Sequence, residues 1–349
     1  MKKRLSLLLS MILVIGLLAA CGNNANQGSN GTNNGTTSEG TANGKKDVKI
    51  ALVLPEQIGV NPFFELMDKG FKKAGEDFGV TIKTMESSDA NAFEQNFRAA
   101  VADGYDMIIT ATYQAEDALR KIAAENPDLP IAIIDHVIED VPNVRSAAFI
   151  ENQASFLLGA AAGLVTESNV VGNVVAVEGA QMDKYTIGFA KGLAYTNPDA
   201  KVLTSYVGSY VDSAKSKELA LQQNAQGADF IAGLAAVGDF GIFEAAKEKG
   251  FYASGQDVDR TVIDPEHVIL SQLKEVDTVT YDTVKLFVED KFEFGTTFYG
   301  LTEGGVGLTF VTTDSESPRS EKLTDEDIAQ LKEIAEGIKD GSIDTSITK

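Results

Sequence analysis

Side chains able to do covalent or metal chemistry are few here: one cysteine, Cys21, and two histidines, His136 and His267, in 349 residues. The chain contains no Gly-x-Ser-x-Gly nucleophile elbow, no phosphate loop ending in Gly-Lys-Ser/Thr and no His-Glu-x-x-His zinc pattern. What remains is a set of binding groups. Polar and aromatic residues gather in five stretches: Gly59-Val60-Asn61-Pro62-Phe63-Phe64, Asp135-His136, Met182-Asp183-Lys184-Tyr185, Gly255-Gln256-Asp257-Val258-Asp259 and Ser271-Gln272-Leu273-Lys274. Aromatic rings flanking a slot, with acids and amides converging on it, suit a flat polar ligand that carries hydroxyls. Taken singly, each has a plainer reading, because an Asp after a strand often caps a helix and a lone aromatic usually belongs to a core. The paired carboxylates Asp257 and Asp259 could do acid–base work, but hydroxyl binding or helix capping suits them better. The expectation is a binding protein, not an enzyme, with no metal and no cofactor.

These groups need strands to carry them. Val48-Lys49-Ile50-Ala51-Leu52-Val53-Leu54 is rich in β-branched residues and is closed by Pro55, the pattern of a buried strand. Helical spacing follows over 63–78 (Phe64, Met67, Phe71, Ala74, Phe78) and stops at Gly79. Strands are then expected at 80–85, 107–110, 131–135 and 147–150, with helices at 92–103 and 115–126. The same grammar restarts in the second half. Helices at 156–166, 184–195, 213–226 and 241–249 alternate with strands at 170–177, 201–207, 230–234 and 252–254, and 324–349 reads as an acidic helix. Such alternation predicts an α/β protein with two doubly wound parallel-sheet lobes, each sheet covered on both faces. The five polar stretches then fall at the carboxyl ends of strands, where such sheets hold ligands, so the two lobes enclose a cleft.

The first 46 residues carry a different message. Lys2-Lys3-Arg4 precedes an apolar run over 5–18, and Leu17-Leu18-Ala19-Ala20 leads into Cys21. That order reads as an export signal over 1–20 whose first mature residue is a cysteine to be acylated. A short membrane helix with an idle cysteine is the alternative, but the run falls short of the roughly 20 residues of a span. Residues 21–46, nearly all Asn, Gly, Thr, Ser and Ala, read as a flexible lipid-held tether. One cysteine leaves no internal disulfide. The chain has 30 basic and 51 acidic residues; loss of the leader removes three basic ones, so the mature net charge is −24. Nucleic acid and anionic lipid surfaces would repel such a chain.

Several runs resemble one family. These are Gly188-Phe189-Ala190-Lys191-Gly192, Tyr206-Val207-Gly208-Ser209-Tyr210-Val211-Asp212, the run from Gly241 to Gly250, and Tyr299-Gly300-Leu301 with Gly304-Gly305-Val306-Gly307. From about residue 48 to 345 the chain is similar to the basic membrane protein family of lipoproteins, the substrate-binding subunits of nucleoside ABC importers. The resemblance implies a type I periplasmic-binding-protein fold. Its lobes would be 47–150 plus 273–299 and 151–272 plus 300–349, joined by a hinge of three crossings near Ile150, Gln272 and Gly300. It implies a membrane-anchored monomer on the extracytoplasmic face, serving a permease and clamping a purine nucleoside. Phe63 and Tyr185 would stack on the two faces of the base. Asp135 would face the ligand, Asp257 and Lys274 would contact the ribose, and the loop holding Gly238 would approach the sugar. The first loop departs from the family's acidic-Lys-Ser-Phe-Asn run. Asn61-Pro62-Phe63-Phe64 resembles instead the first loop of ribose-type sugar binders, in which Asn61, Phe63 and Phe64 would hold a free sugar such as a pentose with Asp135, Asp257 and Gln272. A ligand sensor is a further alternative to a transport subunit.

Overall fold

The computed structural model describes residues 48–347; the leader, Cys21 and the tether lie outside the described residues. Within them the chain builds two six-stranded sheets.

In the first sheet the spatial order is β11 (Gly295–Tyr299), β5 (Val144–Phe149), β4 (Ile131–Ile134), β3 (Met107–Ala111), β1 (Lys49–Val53) and β2 (Thr81–Met85). Every pairing in it is parallel. In the second the order is β12 (Val306–Leu308), β10 (Val268–Lys274), β9 (Tyr252–Asp257), β8 (Phe230–Leu234), β6 (Val170–Val175) and β7 (Lys201–Tyr206). It is parallel except for β12, which runs antiparallel to β10. Setting β11 and β12 aside, each half has the doubly wound order 2-1-3-4-5, which places switch points between β1 and β3 and between β6 and β8.

The apolar runs make central strands because both their faces are covered. In β1 and the residue after it, Ile50, Leu52 and Leu54 pack into one core while Ala51 and Val53 pack into another on the opposite side. The helix α1 (Pro62–Phe78) starts where Asn61 Oδ1 accepts from the Phe63 N–H at 3.1 Å, with Pro62 in the first turn, and ends at Gly79 in the left-handed region. The helices α2 (Ala90–Ala102), α3 (Glu116–Glu125), α6 (Ser213–Ala225) and α7 (Asp239–Lys249) complete the layers. α4 (Glu151–Val165) and α5 (Ala180–Thr196) cross at backbone contact: a methyl group on Gly159 would lie 2.0 Å from the Phe189 carbonyl oxygen, and one on Gly192 1.8 Å from that of Phe156. α4 begins at Glu151, five residues before the apolar pattern does, because its first turn is polar yet buried.

The chain passes between the sheets three times. It does so at Ile150, at Glu275 between β10 and α8 (Val276–Val288), and over residues 300–305 between β11 and β12. The crossings are laced together. Ile150 N–H donates to the Tyr299 carbonyl at 3.0 Å, and Glu275 N–H to that of Gly305 at 2.9 Å. Leu301 N–H donates to Gln153 Oε1 at 2.7 Å. Leu273 and Lys274 pair with β12 in the second sheet. The acidic helix near the end is α9 (Asp325–Lys339), opened by a reciprocal cap between Thr324 and Asp327. Among the described residues no helix is long and apolar enough to cross a membrane.

Candidate ligand-binding site

A cavity of about 320 Å³ lies between the strand ends of the two sheets. Asn61, Phe63, Phe64, Asp135, Tyr185, Asp257 and Lys274 all line it. Four of the non-glycine residues lining it hold positive φ: Thr112 (65°) after β3, Asp135 (65°) after β4, Ala236 (55°) after β8 and Asp257 (68°) closing β9. They form two matched pairs across the lobes. Conformations of this kind each cost about 1–3 kcal/mol and cluster at ligand sites.

The floor is a buried ion cluster. Lys274 Nζ lies 2.7 Å from Asp135 Oδ1, on the other sheet, and 3.5 Å from Glu151 Oε1. Glu151 also takes Lys184 Nζ at 3.0 Å and the Gln181 amide at 2.7 Å. The Lys274 ammonium stands 5.4 Å from the ring centre of Phe149, 5.6 Å from Tyr185 and 6.0 Å from Phe63, so three aromatic rings surround it. Burial works against its charge, but the field of Asp135, Glu151 and Asp257 outweighs that and holds its proton well above the ordinary lysine range. Burial lifts the Asp135 carboxyl to about 6 against the pull of Lys274. Glu151 is pushed up by burial and brought below the usual carboxylate range by Lys274 and Lys184.

Two of the expected contacts sit elsewhere. Gly238 lies behind the wall that Ala236 and Val237 form; its N–H donates to the Ala235 and Tyr210 carbonyls, and a side chain there would meet Ser216 Oγ at 2.7 Å. Gln272 lies one step below Lys274 on the same face of β10, where Ser155 Oγ donates to its Oε1 at 2.9 Å. It borders a narrow void behind Lys274 and not the main cavity. Asn61 lines the cavity while its Oδ1 caps α1.

Other lining groups carry no expected role in the site, although Tyr210 lies in the 206–212 run quoted for the family resemblance. Gln114, after β3, donates to Glu56 Oε1 at 2.9 Å, and Glu56 follows β1. Tyr113 and Tyr210 stand at the mouth, one on each lobe, the first well exposed and the second at the edge of exposure. Position after a strand was the one signal that could have found them. The lining cation Lys274 already faces Asp135 at 2.7 Å, and His136 Nε2 faces Glu116 Oε2 at 2.7 Å. Among the described residues the cavity therefore has no spare cation for a phosphate, and it suits an uncharged ligand rich in donors.

Residues 47–343 match the family model described as Bmp, ABC transporter substrate-binding protein PnrA-like. The chain belongs to the Bmp family. It is thus an extracytoplasmic substrate-binding component of an ABC transporter and not an enzyme. Basic membrane protein A of Borreliella burgdorferi is 30% identical over 272 residues, covering 76% of this chain and 80% of that protein. The ABC transporter nucleoside-binding protein BmpA of Lactococcus lactis is 28% identical over 341 residues, covering 90% and 94%. The fold is shared with a solute-binding protein of an ABC transporter system from Aeropyrum pernix, at a TM-score of 0.72 and 24% identity over 85% of this chain and 92% of that one. A Bmp protein's task is capture and release, so geometry that binds without bond-making chemistry is what this cavity has to supply.

Proposed function

We propose that this Bmp protein captures a purine nucleoside in the interlobe cavity and delivers it to an ABC import permease, held at the outer membrane face by a lipid on Cys21. The observation that carries the reading is the cavity's division into a charged floor and an aromatic mouth. Asp135, Asp257 and Lys274 at the floor offer acceptors and a donor to vicinal hydroxyls, and charge-assisted hydrogen bonds of this kind are the strong ones. Phe63 in the wall, with Tyr113 and Tyr210 at the mouth, offers ring faces to a base, where stacking contributes about 1–3 kcal/mol. The name of the Lactococcus lactis relative supports the same ligand class.

A free pentose is the second reading, favoured by Asn61-Pro62-Phe63-Phe64 at the first loop. It would fill the floor and leave the exposed mouth rings unused. The lobes, 47–150 with 276–299 and 151–274 with 300–349 once the second crossing is put at Glu275 and not near Gln272, would close by bending at the three laced crossings. A monomer suffices, because one chain supplies both walls.

Thermal unfolding of the purified protein with guanosine, inosine, adenosine or ribose tests this. A ligand at 100 times its Kd stabilises the folded state by about 2.7 kcal/mol, which is about 5 °C or more for lobes of this size. A rise with the nucleosides and none with ribose is expected; a rise with ribose alone overturns the nucleoside reading. Loss of nucleoside uptake on deletion separates a transport subunit from a sensor.

A further inference from the structure

Tyr185 was expected to stack on a base, but its surroundings suit a different task. Its ring packs in a small apolar cluster with Val175, Met182 and Leu234, and the residue is 2% exposed. Its hydroxyl is buried and, among the described residues, has no hydrogen-bond partner. That is a costly arrangement, because a buried polar group without a partner keeps its full desolvation penalty. The same residue lines both the main cavity and the void behind Lys274. Its ring centre lies 5.6 Å from the Lys274 ammonium, in the floor of the site.

We propose that the Tyr185 hydroxyl is a ligand-recognition group, donating a hydrogen bond to one sugar hydroxyl of the bound nucleoside once that sugar displaces the Lys274–Asp135 ion pair. This rests on the nucleoside reading of the cavity. The pair bridges the two sheets at 2.7 Å, with its ammonium 5.6 Å from the centre of the tyrosine ring. A diol that takes over Asp135 and Lys274 separates them and brings its own oxygen to the floor. Burial raises the phenol well above its ordinary range, so it remains a protonated donor. The orphan hydroxyl is then a cost carried by the empty protein and relieved by ligand, and it counts towards selectivity because only a hydroxyl-bearing ligand relieves it.

The test is Tyr185→Phe in the full mature protein, with titration calorimetry against guanosine, inosine and adenosine and their 2′-, 3′- and 5′-deoxy forms, and a melting curve without ligand. The expected result has two opposite signs. The ligand-free melting temperature rises or holds, while affinity for the parent nucleosides falls about 10-fold. One deoxy analogue should bind wild type and variant equally, which identifies the partner hydroxyl. Wild-type affinity of the variant across the series overturns the inference, as does a parallel fall in stability and affinity, which would make the residue a packing element. Failure of every nucleoside to bind the wild-type protein overturns the nucleoside reading itself; the same pair of proteins titrated with ribose then decides whether the hydroxyl reads a free sugar.

Discussion

Replacing Lys274 by methionine keeps the stem and most of the volume but removes the charge that joins the lobes. In the folded protein Lys274 is almost wholly buried, with Asp135 and Glu151 as its acidic partners. Glu151 keeps compensation in the variant, since Lys184 and Gln181 remain at 3.0 and 2.7 Å. Asp135 keeps no cation within ion-pair distance among the described residues. Breaking a buried pair from one side costs about 3–5 kcal/mol. Asp135 has one escape, which is to take up a proton. Burial already lifts its carboxyl to about 6 with Lys274 beside it, and loss of the lysine lifts it further. The native state then holds a proton that the unfolded chain has lost above its ordinary value of 3.8. The penalty for Lys274→Met is therefore largest at pH 7.5, about 2–4 kcal/mol, and shrinks as the pH falls towards 5. Urea denaturation at both pH values of the wild type, Lys274→Met, Asp135→Asn and the double variant measures this. The double variant should recover at least about 1.5 kcal/mol of the summed single losses. Single losses that add to within about 0.5 kcal/mol, or a Lys274→Met penalty that does not change with pH, would refute the assignment of an interlobe charge pair.

Asp239 gives a second titration. It is fully buried, accepts from the Ala235 N–H at 2.8 Å, and burial raises its carboxyl to about 7 despite that bond and Arg260. Between the unfolded value of 3.8 and about 7 the native state binds the extra proton, so stability falls as pH rises through that window, by up to about 4 kcal/mol. Asp239→Asn keeps the acceptor and should flatten the profile between pH 4.5 and 8 except for the smaller share due to Asp135; an unchanged profile in chemical denaturation counts against it. Gly192→Ala should lose about 1–3 kcal/mol or more, although Gly to Ala in a helix interior ordinarily gains up to about 1 kcal/mol. The new methyl group would sit 1.8 Å from the Phe156 carbonyl oxygen and force α5 off α4; a rise in melting temperature would show that the helices can part cheaply.

The strands legible in the sequence were those that parallel sheets bury on both faces, such as Val48–Leu54, Met107–Thr110, Ile131–Asp135 and Phe230–Leu234. Their apolar continuity is a direct consequence of having no solvent face. Legibility failed where buried residues are polar. The first turn of α4 contains buried Glu151 and Asn152, because Glu151 answers Lys184 and Lys274, residues far away in the chain. The β9 strand reaches Asp257 although its last residues look like a loop, and three-residue β12 has too little length for any period. Asp135 and Asp257 were legible by their place at strand ends, Lys274 by the polar stretch it closes, and the first-loop aromatics by their clustering. Glu56, Gln114 and Tyr210 were not, because a residue lining a cleft and one facing solvent carry the same local signal.

The matched strand ends suggest why one lysine has so much to do. Both lobes present an acid at the same place, Asp135 after β4 and Asp257 closing β9, each in the left-handed region. Two carboxylates brought together by lobe closure repel, and Glu151 beneath them adds a third. The symmetry breaks at the next strand. Where β5 ends in Phe149, β10 ends in Lys274, whose ammonium sits 5.4 Å from that ring. One ammonium, with Lys184 helping from below, leaves the cleft with a surplus of acceptors. An anion cannot satisfy that surplus, and water can do so only while the lobes stay apart. A neutral diol brings donors without charge, so it can occupy both acids and allow the lobes to stay shut. On this reasoning, among nucleosides affinity should depend on the number of free sugar hydroxyls more steeply than on which base they carry, since the floor is buried and the mouth is open to solvent.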